Sequence, residues 1–158
     1  MFACFTELQS SHGGTGPVPG PGEETRPLTE AMLATPVLVV EDEVLIAWVL
    51  QDMLADMGFA DVRLARDHRQ ALELAAERAP GLLICDVNLG SGPDGIETAR
   101  AIREGRAVPV LFVTGYTATG IQARIEDAVG PAPLMRKPIQ PGLLAAALRE
   151  ALSGAGPH

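Results

Sequence analysis

Apolar and polar positions fall into a repeating block pattern along this chain. Val37-Leu38-Val39-Val40, Leu82-Leu83-Ile84-Cys85 and Val110-Leu111-Phe112-Val113 are short apolar runs, each closed by polar residues and then by a segment of helical period. Runs of this length, flanked in this way, read as strands covered on both faces of a parallel sheet. The pattern predicts strands at 36–40, 61–65, 81–85, 108–113 and 132–136, with helices at 44–57, 67–78, 95–104, 118–128 and 141–152. Gly58 closes the first helix, Asp67 is the expected N-cap of the second, and Pro141 suits the first turn of the fifth. A five-fold strand-helix repeat with right-handed crossovers gives an α/β fold, a doubly wound five-stranded parallel sheet with helices on both faces.

The first 35 residues differ in kind. His12 to Gly22 reads HGGTGPVPGPG, a stretch that buries too little apolar area to offset the entropy of ordering. Residues 1–35 are therefore expected to be a disordered leader, 36–153 the folded domain and 154–158 a tail. Met32 stands just before the first strand, so a biological start there is one hypothesis. The opening lacks the basic and long apolar regions of a signal peptide, and no stretch reaches membrane-spanning length, which points to the cytoplasm.

Charge narrows the functional classes. Net charge is −8, the acidic residues are scattered, and no basic patch suggests nucleic acid. Cys4 and Cys85 make neither a disulfide framework nor a metal spacing. Of the 12 basic residues, 11 are arginine, and the one lysine, Lys137, precedes Pro138 after the apolar Pro133-Leu134-Met135. A compact ammonium kept where guanidinium serves everywhere else points to one small anion. The first run ends in Glu41-Asp42-Glu43, the third-strand run in Asp86 and the fourth in Thr114-Gly115. In a parallel sheet these ends open on one crevice, so acids, hydroxyl and lysine converge.

Residues 36–152 resemble a bacterial response-regulator receiver domain, the phosphoacceptor half of two-component signalling. The resemblance rests on Val39-Val40-Glu41-Asp42-Glu43, on Asp86-Val87-Asn88-Leu89 followed by Asp94-Gly95, on Thr114-Gly115 and on Lys137-Pro138. It implies a CheY-like, flavodoxin-like strand order of 2-1-3-4-5. It implies a single-domain regulator with Asp86 as phosphoacceptor and Mg²⁺, or Mn²⁺, held by Asp42 and Asp86 directly, Glu41 through water and the backbone carbonyl of Asn88. Lys137 would pair with a phosphoryl oxygen, Thr114 would hydrogen-bond another, and Gly115 would leave room. The implied partners are a sensor histidine kinase or a histidine phosphotransfer protein and a downstream protein target, with no nucleic acid or membrane; a homodimer through the last two helices stays open. Catalysis is confined to the protein's own aspartyl phosphorylation and dephosphorylation.

The sequence also departs from the family pattern. The loop after Asp86 lacks the usual proline and is one residue longer, and Leu134 stands where a switch aromatic is usual. Tyr116 is the nearest aromatic and a candidate both for the switch and for shielding an acyl phosphate from water. On the first helix Ile46, Val49, Leu50, Met53 and Met57 form the expected core stripe, leaving Val44 and Trp48 outside it. Trp48 reads either as packed on a neighbour or as a docking anchor for a kinase or phosphotransfer helix. Leu143, Leu144, Ala147, Leu148, Ala151 and Leu152 form the amphipathic pattern of the last helix.

Duller readings stand beside these. Asp42 and Glu43 suit a helix N-terminus, Asp86 a turn and Thr114 a cap, and His12, His68 and His158 carry no signal. Two other functions compete: a phosphorylation-independent pseudo-receiver scaffold, and a phosphatase of the haloacid-dehalogenase type, against which Asn88 replaces the second aspartate of that motif.

Overall fold

The computed structural model describes residues 27–90, 92–115 and 119–154. The chain order is α1 (Glu30–Leu33), β1 (Val37–Val40), α2 (Val44–Met57), β2 (Val62–Ala65), α3 (His68–Glu77), β3 (Leu82–Asp86), α4 (Gly95–Ile102), β4 (Val110–Thr114), α5 (Ile121–Val129), β5 (Leu134–Arg136) and α6 (Pro141–Ser153). All strand pairs are parallel and the order is β2-β1-β3-β4-β5, the doubly wound arrangement expected.

Alternation along the strands builds two cores. Leu38, Val40, Leu83, Cys85, Val110 and Phe112 point to the side covered by Ala71 and Ala75 of α3, Ile96 and Ala99 of α4, and Ile121 and Ile125 of α5. Val37, Val39, Leu82, Ile84, Leu111 and Val113 point to the other side, against Leu50 and Leu54 of α2 and Leu144 and Leu148 of α6. β1, β3 and β4 are buried throughout, so their period-2 alternation is invisible in hydropathy and both faces must be apolar.

Local chemistry sets the helix ends. Gly58 takes φ +109°, its N–H bonds Ala55 O, and Phe59 N bonds Leu54 O, closing α2 as a Schellman turn. Asp67 caps α3 by accepting from Gln70 N at 2.8 Å, as expected. α5 starts at Ile121 rather than at 118, because Gly120 at φ +92° lies in the left-handed region and cannot be inside a helix. β4 starts at Val110 rather than 108; Pro109 precedes it and offers no N–H to a ladder.

Three expectations are corrected. Within the stretch read as a disordered leader, residues 30–33 form α1, with Thr29 Oγ1 accepting from Met32 N at 3.1 Å. Leu28 and Leu33 pack on the α2/α6 core, and Leu33 lies so close to Gly58 that a Cβ there would stand 3.1 Å from its Cδ1. On α2 the stripe is centred on Leu50 with Ala47 and Leu54, so Val49, about 100° from Leu50, is 47% exposed. On α6 Leu143 is 59% exposed, outside the stripe of Leu144, Leu148 and Ala151.

Candidate functional site

Each site residue arrives at the carboxyl edge of the sheet on a different strand. Val40 is in register with Cys85 on β3, so Glu41 and Asp42 leave β1 beside Asp86, the last residue of β3. Thr114 ends β4 in register with Arg136 on β5, which brings Lys137 to the same edge. The main chain ties these ends together through Lys137 N donating to Thr114 O at 2.9 Å and Val87 N to Val113 O at 2.9 Å.

The result is a small, strongly charged centre. Lys137 Nζ stands 3.1 Å from Asp86 Oδ2, 2.9 Å from Glu41 Oε2 and 3.9 Å from Glu43 Oε1. Glu41, Asp86 and Thr114 are buried, whereas Asp42, Glu43 and Asn88 are exposed. Asp86 Oδ1 accepts from Asn88 N at 3.1 Å, and Asn88 Oδ1 accepts from Gly90 N at 3.1 Å, so the loop after β3 folds on its own amides. Gly90, at φ +75°, lies over Asp42, and a Cβ there would stand 3.3 Å from Asp42 Oδ2. At Gly115 a Cβ would meet Lys137 Cδ at 3.7 Å, an ordinary contact.

Burial sets the electrostatics. Desolvation raises the Glu41 carboxyl from 4.5 to about 7, although the Lys137 ammonium and the Glu43 N–H both pull it down. Burial works against the charge on Lys137, but its contacts with Glu41 and Asp86 outweigh it and hold its pKa above the ordinary lysine value. Cys85, fully buried beside Asp86, has its thiol pushed well up by desolvation and then by Asp86, which leaves it inert as a nucleophile.

Ligand atoms of Glu41, Asp42 and Asp86 lie within 4.8 Å of one another. Glu41 Oε2 is buried and makes no directional hydrogen bond, its contact with Lys137 being one of charge at 2.9 Å. Hard carboxylate oxygens grouped this closely fit a small divalent cation of the Mg²⁺ kind.

The structure thus brings together Glu41, Asp42, Asp86, Asn88, Thr114 and Lys137. Leu134 lies on β5 on the α3/α4/α5 side, packed against that core. Trp48 is 56% exposed on α2. Tyr116, Cys4, His12 and His158 lie outside the described residues. His68 carries no signal in the sequence, yet its Nδ1 meets Thr98 Oγ1 at 2.9 Å, and that buried hydroxyl itself donates to Asp94 O at 2.8 Å. With its one hydrogen committed to Asp94, the Thr98 hydroxyl must accept from His68 Nδ1–H, a bond between α3 and α4.

Comparison with known proteins agrees with this geometry. The response regulator receiver domain model matches residues 37–149, and the chain belongs to that family. It is 32% identical over 123 residues to the phyllosphere-induced regulator PhyR of Methylorubrum extorquens, covering 77% of this chain and 45% of that protein. It is 37% identical over 114 residues to the transcriptional regulatory protein PdtaR of Mycobacterium tuberculosis, covering 71% of this chain and 55% of that one. The chain therefore spans about half the length of these curated relatives. The receiver domain of Erythrobacter litoralis PhyR superposes with a TM-score of 0.70 at 32% identity, covering 81% of this chain and 97% of that one. The chemotaxis protein CheY4 of Vibrio cholerae gives 0.69 at 30% identity, covering 75% and 99%. Among the described residues no helix is long and apolar enough to cross a membrane.

Proposed function

We propose that this receiver domain accepts a phosphoryl group on Asp86 from a phosphohistidine, in a sensor histidine kinase or a histidine phosphotransfer protein, and signals by the change of conformation that follows. The observation that carries this reading is the convergence of one ammonium and three carboxylates, with Lys137 Nζ 3.1 Å from Asp86 Oδ2. A carboxylate oxygen of Asp86 attacks phosphorus, the P–N bond to the donor imidazole breaks, and an acyl phosphate remains. The donor phosphate is anionic, so attack by a carboxylate needs positive charge already in place.

Lys137 supplies that charge from one side. Its charged head is shared between Glu41 and Asp86, so little reorganisation is needed to meet a phosphoryl oxygen. Glu41, Asp42, Asp86 and the Asn88 carbonyl would hold Mg²⁺ or Mn²⁺, which supplies charge neutralisation on the transferring group. Thr114, buried at the end of β4, offers a hydroxyl to the phosphoryl oxygens. The Asn88 N–H fixes the Asp86 carboxylate rotamer from the side away from Lys137.

The donor must approach this edge, beside which the N-terminal half of α2 exposes Val44, Leu45, Trp48 and Val49. We assign this apolar face to docking of the donor protein. The downstream target is a protein, the site of action is the cytoplasm, and residues 36–153 constitute the switching unit.

Incubation with acetyl phosphate and Mg²⁺ followed by intact-mass measurement tests the reading. The wild type gains one phosphoryl mass and Asp86→Asn gains none. An unmodified wild type would instead favour a scaffold that works without phosphorylation.

A further inference from the structure

The first turn of α4 is pressed onto the main chain of Asp86. A Cβ at Gly95 would lie 1.8 Å from the Asp86 carbonyl oxygen and 2.7 Å from its carbon. Gly95 N donates to Val87 O at 2.8 Å, and Cys85 Sγ lies 3.3 Å from Gly95 O. A displacement of the Asp86 backbone therefore moves the start of α4 with it, because close-packed main chain leaves no slack.

Asp94, the N-cap of α4, converts that abutment into a contact with α5. Its Oδ1 accepts from Glu97 N at 2.9 Å, and Glu97 Oε2 accepts from Asp94 N at 3.3 Å, a reciprocal capping box that fixes the side chain. Its Oδ2 accepts from Arg124 of α5 at 2.6 Å. At the opposite end of α5, Arg103 donates to Val129 O.

α5 itself is lightly held. It has nine residues, buries Ile121 and Ile125, and begins at Gly120 with no side-chain cap. One end is pinned by Arg103 and the other by Arg124, so loss of the second contact frees the end of the helix that follows the Thr114-Gly115 edge. Segments with few buried side chains and uncapped ends open at low free energy.

We propose that the Asp94–Arg124 ion pair is a conformational latch that couples α5 to the acceptor loop, so that events at Asp86 reach α5 through Gly95 and Asp94. The coupling rests on Asp86 being the phosphoacceptor; the hold on α5 does not. Arg103 at Val129 acts as the pivot about which the near end of α5 swings.

The test uses the full chain as wild type, Asp94→Asn, Arg124→Gln and the double variant. Asparagine keeps the N-cap acceptor, so Asp94→Asn removes the charge and spares the helix start. Amide hydrogen exchange of residues 121–129 is measured alone and with Mg²⁺ and beryllofluoride as the phosphoryl mimic. Each single variant exchanges about two- to fivefold faster in α5 without the mimic, as expected for one part-exposed ion pair, with α6 unchanged and the double variant no faster than the singles. The mimic alters α5 exchange in the wild type, and less than half of that response survives in either single variant. Unchanged α5 exchange in the singles, additive effects in the double, or a full response to the mimic in Arg124→Gln would overturn the latch. A wild type that fails to bind the mimic would refute the phosphoacceptor reading and the coupling built on it, while exchange without the mimic would still decide whether the ion pair holds α5.

Discussion

Lys137 Nζ lies 3.1 Å from Asp86 Oδ2 across 51 positions of sequence, and the cis peptide to Pro138 follows directly on β5. The contact joins the end of the central strand to the end of an edge strand, and a second carboxylate, Glu41, shares the same ammonium at 2.9 Å. Two buried acids thus depend on one cation that is itself only 14% exposed.

Lys137→Met keeps the apolar stem and removes the charge. Two buried carboxylates then face each other uncompensated, which costs roughly 1 to 3 kcal/mol of stability near neutral pH. Labelling by acetyl phosphate falls at least tenfold, the scale on which loss of one preorganised electrostatic partner is felt. Urea denaturation at pH 8 and pH 5 separates the two effects, because protonation of Glu41 at the lower pH restores part of the stability and none of the labelling.

Glu41 makes stability pH-dependent in a definite direction. Burial raises its carboxyl from 4.5 to about 7 in the folded chain, so between these values the folded state binds more protons than the unfolded one. Stability contributed by this group is greatest below 4.5, falls as pH rises through the window and is flat above about 7, a change of up to about 3 kcal/mol. In metal-free buffer, Glu41→Gln removes this descending slope. The check is the difference in urea midpoint between wild type and variant across the window; parallel curves would show that Glu41 ionises without penalty.

The short helix α1 has a measurable role. A chain beginning at Met32 lacks Leu28, which packs on the α2/α6 core, and Thr29, whose hydroxyl caps Met32 N at 3.1 Å. Loss of a cap and of part of one apolar side chain lowers stability by about 1 to 2 kcal/mol relative to a chain beginning at residue 27. Equilibrium urea unfolding of both forms reads this directly, and equal midpoints would mean that α1 adds nothing.

Much of this architecture is written in the hydrophobic pattern, for physical reasons that also explain the exceptions. β1, β3 and β4 are buried on both faces, so they appear as unbroken apolar runs, and the polar residue closing each run marks the edge where the site forms. Asp86 is legible because it terminates such a run, and Lys137 because it is the one lysine among 12 basic residues. α1 is not, since four residues amid proline and glycine carry no period, and it is tertiary contact with Gly58 that orders them. Val49 misleads because α2 is apolar on most of its circumference, so the stripe can be drawn one position away from the true centre at Leu50. The His68–Thr98 and Asp94–Arg124 contacts each span 30 positions and join ordinary polar residues that only the crossover geometry brings together.

Trp48 is 56% exposed beside Val44, Leu45 and Val49, and none of the four is needed to complete the core. Trp48→Ala therefore leaves the urea midpoint within about 0.5 kcal/mol of wild type. Labelling by acetyl phosphate is unchanged, because a small donor has no docking surface to use. Transfer from the phosphorylated donor protein slows at least tenfold, the loss expected for an interface aromatic worth more than about 1 kcal/mol. Equal slowing with both donors would place the effect at Asp86 instead of at the α2 surface.

Gly95 is constrained by space alone, which makes it a sharp probe of the Asp86 backbone. It sits at the first position of α4 with no positive φ, so alanine brings no conformational strain of its own. What it brings is a methyl group 1.8 Å from the Asp86 carbonyl oxygen, and neither partner is a flexible side-chain end that can turn aside. Either the start of α4 or the end of β3 must retreat by an ångström or more, at a cost of about 1 to 3 kcal/mol. A shift of that size at a reacting group takes Asp86 out of line with Lys137, so labelling by acetyl phosphate falls more than tenfold in Gly95→Ala while the far-ultraviolet spectrum of the helices persists. Gly92 supplies the contrast: it has φ +88° and nothing within 4 Å of a Cβ, so Gly92→Ala carries backbone strain without a clash, and labelling stays within twofold of wild type. Near-normal labelling of Gly95→Ala would show that the Asp86 carboxylate tolerates movement of its own main chain, and that the contact between α4 and Asp86 is packing without consequence for the chemistry.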